Sequence, residues 1–77
     1  MYNNYVERLI HEAQFQARGL GIPEGAADSF IECAMKEIPR ATLKNGDEAL
    51  IYRIFVRNLA KYHRDLAYVL KNYQNVL

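Results

Sequence analysis

A chain of 77 residues, 51% apolar and 25% charged, reads as one globular domain with a small core. Disorder is excluded, because it needs low hydrophobicity and high net charge. A net charge of +1 excludes a polycation, so any nucleic-acid role would rest on one face.

A chain this short buries only about 60–65% of its unfolded surface, so a second copy could supply missing burial. Cys33 is the sole cysteine, which rules out an internal disulfide and suits a reducing compartment. The opening MYNNYVERL has no apolar stretch of signal-peptide length, and no run approaches the roughly 20 apolar residues of a membrane span. The expectation is a cytoplasmic protein with no membrane contact.

The first helix is predicted over about residues 4–18. Asn3 or Asn4 can cap it, since an Asn side chain accepts from the free amides of a first turn. Tyr5, Val6, Leu9, Ile10, Ala13, Ala17 and Leu20 recur at helical spacing and define one buried face. Gly19 and Gly21 then offer a left-handed stop.

The second helix is predicted over about residues 23–38. Pro23 suits the first helical position, and Glu24 complements the positive helix start. Its buried face is Ala27, Phe30, Ile31, Ala34, Met35 and Ile38, and Glu32 with Lys36 forms an i, i+4 pair. Pro39 ends it. Residues 40–46 form a connector with at most a short turn, marked by Asn45 and Gly46.

The third helix is predicted over about residues 47–74, capped by Asp47. There is no Gly or Pro from Asp47 to Leu77. Apolar residues including Ile51, Phe55, Leu59, Leu66 and Leu70 fill about half the wheel. Residues 48–73 would span about 39 Å as one rod, longer than a globule about 30 Å across. The rod therefore overhangs, bends, or is covered by a second chain. The apolar end (Leu66, Val69, Leu70, Tyr73, Val76 and Leu77) favours a covering partner. The fold expected is all-α: a small three-helix bundle with a long C-terminal helix, dimeric in the sense that a homodimer best buries that end.

Charge is uneven along the chain. Residues 24–37 hold four acids against Lys36 alone, and residues 49–77 hold five bases against Asp65 alone. Those bases, Arg53, Arg57, Lys61, Arg64 and Lys71, fall within about 80° of the predicted rod, with Tyr68 among them. Such a stripe can be a solvated helix face, can bind an acidic protein, or can follow successive phosphates while Tyr68 stacks on a base. Glu24, Asp28 and Glu32 could also face it within the molecule or across a dimer.

Phe15 falls on the polar side of the first helix beside Arg8, His11 and Arg18, the composition of an interface hot spot, unless the loop after Ile38 covers it. His63 falls inside the apolar arc between Tyr52 and Val56, as a half-buried imidazole bonded to a carbonyl or as a pH-sensitive interface group. His11, Cys33 and His63 lack metal-ligand spacing, so no metal or other cofactor is expected. The letters HRD at 63–65 lack the Asn that a kinase loop requires, since position 70 is Leu70.

No nucleophile–base pair is apparent, and short helices offer little concave space, so no enzymatic activity is expected. The function expected is that of a small regulator: a protein-binding adaptor or inhibitor acting through Arg53, Arg57, Lys61, Arg64, Tyr68 and Lys71, together with Phe15 and Arg8. The alternatives are a nucleic-acid-binding regulator using the same stripe, or a structural helical element that self-assembles.

Overall fold

The computed structural model describes residues 4–72, so the calls on Asn3, Tyr73, Val76 and Leu77 lie outside the described residues. Five helices stand where three were expected: α1 (Asn4–Gly19), α2 (Glu24–Lys36), α3 (Arg40–Asn45), α4 (Glu48–Leu59) and α5 (Arg64–Asn72). No strand occurs among the described residues, and the fold is all-α.

Local chemistry sets most boundaries as anticipated. α1 buries Tyr5, Val6, Leu9, Ala13 and Ala17 along one stripe. It closes where the Ile22 amide donates to the Ala17 carbonyl and the Gly21 amide to the Arg18 carbonyl, both at 3.0 Å. That paired closure needs a left-handed residue, and Gly21 supplies it at φ 76°. Pro23 lies one position earlier than expected, as the residue that caps α2 (φ −56°, ψ 140°). Pro39 plays the same part for α3, the short turn in the connector, which Gly46 closes at φ 70°. Asp47 caps α4, its Oδ1 accepting from the Leu50 amide at 3.2 Å.

The expected rod is divided. Residues 60–63 turn the chain between α4 and α5 without glycine or proline. The turn keeps its backbone bonded: Lys61 N–H donates to Asn58 O at 3.0 Å, and the Tyr62 and His63 amides both donate to Leu59 O at 2.9 Å. His63 then caps α5, its Nδ1 accepting from the Leu66 amide at 3.2 Å. Helix continuity is thus given up at the loss of few hydrogen bonds, each worth about 1 kcal/mol net.

The return is larger. α5 packs against both α4 and α1, and α1–α2–α4–α5 close a ring of neighbouring helices with α3 on the α4 side. Leu66 and Leu70 are 0% exposed and Ala67 is 4% exposed. Each buried leucine contributes about 1.5–3 kcal/mol of apolar transfer, which outweighs the broken helix. Size points the same way. The molecule measures 34 × 23 × 20 Å with a radius of gyration of 11.3 Å, and a straight helix over residues 48–72 would be about 38 Å long.

The hairpin is antiparallel, because the Tyr52 hydroxyl at the start of α4 donates to the Leu70 carbonyl in the last turn of α5. The wide apolar arc is explained by this fold-back within one chain. The overhanging end that favoured a dimer does not exist among the described residues.

Candidate interaction surface

Each half of the divided rod presents its own cationic face. In α4, Ile51, Phe55 and Leu59 are 0% exposed. Arg53 and Arg57, about 180° away at 100° per residue, are exposed. In α5, Leu66 and Leu70 point inward, and Arg64, Tyr68 and Lys71 stand on the opposite side. Tyr68 is 67% exposed, within one helical turn of both bases.

Lys61 belongs to neither group. It lies in the turn, and its Nζ sits 3.1 Å from Glu37 Oε1. The other carboxylate oxygen of Glu37 accepts from the Tyr62 hydroxyl at 3.1 Å. The Lys61 hydrogen bond, then that of Tyr62, holds the Glu37 carboxyl below its ordinary value. The hydrogen bond to Glu37 and then burial hold the Tyr62 hydroxyl above its own. The Tyr62 ring also stacks on Phe30, centroids 6.4 Å apart at 17°. This clasp ties the end of α2 to the α4–α5 turn. Sequence reasoning missed it, because Glu37 and Lys61 are separated by 24 residues and no local pattern links them.

Two of the three acidic residues named as partners for the stripe, Glu32 and Asp28, are engaged elsewhere. Glu32 pairs with Lys36 at 3.1 Å, as its i, i+4 spacing indicated. Asp28 accepts from Gln14 Nε2 at 3.2 Å. Among the described residues, Arg53, Arg57, Arg64 and Lys71 have no carboxylate within 4.0 Å.

Phe15 is 63% exposed, so the loop after Ile38 does not cover it. Arg8, expected beside it, places its guanidinium 5.9 Å from the centre of the Tyr5 ring, at the outer limit of a cation–π contact. His63 differs from expectation in its partner. Its ring nitrogen accepts a backbone amide, where a bond to a carbonyl was expected. Its aromatic neighbour is Phe30, at 6.0 Å, from α2.

Among the described residues, a groove lined by Gln14, Arg18, Ile22, Glu24, Ala27 and Asp28 holds about 190 Å³, below the several hundred Å³ usual for small-molecule sites. Among the described residues no three His, Cys, Asp or Glu side chains are grouped as metal ligands require. No described helix is long and apolar enough to cross a membrane. No known protein family, curated protein sequence or solved structure matches this chain.

Proposed function

We propose that this chain is a small, non-catalytic regulator that binds an acidic protein through the outward faces of α4 and α5. The observation that carries the reading is the set of four exposed cations, Arg53, Arg57, Arg64 and Lys71, without carboxylate partners among the described residues. Net charge is only +1, so this concentration on two adjacent helices is local. Opposite charge on a partner would steer encounter, and Tyr68 would supply the buried aromatic anchor. Lys61 contributes only if Glu37 releases it. Phe15 offers a second contact on α1. The free, half-buried Cys33 suits a reducing cytoplasm.

The test is capture of partners from lysate by the wild type and by Arg57→Glu/Arg64→Glu. Both substitutions lie on exposed positions, so the helical signal is expected to persist while capture is lost. Capture that survives the double reversal overturns the assignment of the face, and Phe15→Ala then tests α1 in the same assay.

Tyr68 favours a second reading. An aromatic ring 67% exposed one turn from two bases is a stacking platform of the kind single-stranded nucleic acids use. If four phosphates of a single strand are engaged, log affinity falls against log salt with a slope of about −2.8. No binding to single-stranded DNA or RNA at low salt eliminates this reading and leaves the first.

A further inference from the structure

We infer that α5 is exchangeable between two copies of this chain, the 60–63 turn being a hinge that can straighten into continuous helix. The proposal is independent of the binding reading above. Four observations carry it together.

The first is the hinge itself. It contains Ala60, Lys61, Tyr62 and His63, none of which breaks a helix, and no Gly or Pro lies within residues 47–72. Closed and straight forms therefore differ little in local preference. The second is the way the turn is bonded. Its amides stay within one residue of their helical partners, donating to Asn58 O and Leu59 O, and one side-chain bond, from Leu66 N–H to His63 Nδ1, replaces the helical bond to Tyr62 O. Straightening restores that helical bond.

The third is register. On one continuous wheel, Ile51, Phe55 and Leu59 share a side with Leu66 and Leu70. A straight rod thus keeps a single apolar face. The fourth is length. A rod over residues 48–72 is about 38 Å long, beyond the 34 Å of the closed molecule. Straightening carries Leu66, Ala67 and Leu70 off their own α1 and leaves them uncovered.

The occupant that fits those vacated seats is the α5 of another copy. It brings the same Leu66 and Leu70 to α1 and the same Leu70 carbonyl to the Tyr52 hydroxyl. Because α5 lies antiparallel to α4 in the closed form, the two rods of an exchanged dimer run antiparallel. Apart from the contacts of the 60–63 turn itself, exchange reuses the packing of α5 on α1 and α4, which is what makes such dimers accessible.

The experiment uses the full chain with two hinge variants, refolded at high concentration and sedimented from micromolar to millimolar. His63→Ala removes the cap of the closed form and favours helix. The dimerisation constant is expected to rise about five-fold per hinge, about twenty-five-fold for two. Arg64→Pro places proline at the first position of α5, where it is tolerated, but in the interior of a rod, where it is not. Dimer is expected to fall more than a hundredfold while the monomer keeps its helical signal.

A distance measurement decides the mechanism without relying on either variant. Spin labels at Ala49→Cys and Lys71→Cys, in a Cys33→Ser background with excess unlabelled chain, report one chain's own hairpin. Exchange predicts that the dimer fraction shows about 33 Å, and the monomer a much shorter separation. Dimers that keep the short distance overturn the proposal. So does the absence of dimer at millimolar concentration in both wild type and His63→Ala.

Discussion

Replacing Leu66 by Ala tests the fold-back of α5 at its centre. Leu66 is 0% exposed, on the helix that packs against both α1 and α4. The substitution removes three carbons, about 2.4 kcal/mol at roughly 0.8 kcal/mol each. The residual cavity adds to this, giving about 3–5 kcal/mol in all. A chain of 77 residues has a total stability of about 4–12 kcal/mol, so a large part of it would be lost. At about 4–8 °C per kcal/mol the thermal midpoint should fall by at least about 12 °C. The assay is urea and thermal unfolding followed by circular dichroism, at low micromolar concentration. Tyr68→Ala is the control. It lies on the same helix but is 67% exposed, and its effect should stay within about 0.5 kcal/mol. If α5 projected into solvent, Leu66→Ala would be as mild as Tyr68→Ala. A loss under about 0.5 kcal/mol at Leu66 therefore refutes the ring closure of α1 and α5.

The Glu37 clasp predicts a pH-dependent difference. The carboxyl is held below its ordinary 4.5 by Lys61 and then Tyr62, so its contribution is present above that value and disappears as pH falls through the folded-state value. Glu37→Gln should therefore be less stable than wild type at pH 7, with the gap closing as pH falls below 4.5; a gap that is constant with pH contradicts the clasp. Two glycines should respond with opposite signs, although an added Cβ meets nothing within 4 Å at either. Gly46→Ala, at φ 70°, should lower stability by about 1–2 kcal/mol, and Gly19→Ala, at the last residue of α1, should raise it by up to about 0.5 kcal/mol. Matching signs in chemical denaturation would show that conformation is not what separates them.

Much of the fold is legible in the sequence because its signals are local. The apolar stripe of α1, the Gly21 closure, the prolines before α2 and α3 and the Asp47 cap all act within a few residues. The division of the last helix is not local. Nothing at 60–63 forbids helix, and the turn exists because Leu66 and Leu70 find α1, which lies more than 45 residues away in the chain. His63 as a cap is equally hidden, since caps are normally Ser, Thr, Asp or Asn. For the candidate surface, helical spacing sufficed to place Arg53, Arg57, Arg64, Tyr68, Lys71 and Phe15 outside. It placed Lys61 and Arg8 outside as well, but not their partners Glu37 and Tyr5, which depend on how side chains meet in three dimensions.

The Tyr52–Leu70 bond has a topological consequence. The Tyr5 hydroxyl is raised above its ordinary value by burial, then by Glu48 and Tyr52, and Tyr52 in turn reaches Leu70. The first turn of α1 and the last turn of α5 therefore share one pole of the molecule. A linker of about eight residues, reaching up to about 26 Å, could join them. Opening the chain at the exposed Asn45 and Gly46 would then give a circular permutant. In it α5 would precede α1, and the docking of the two would become a short-range event.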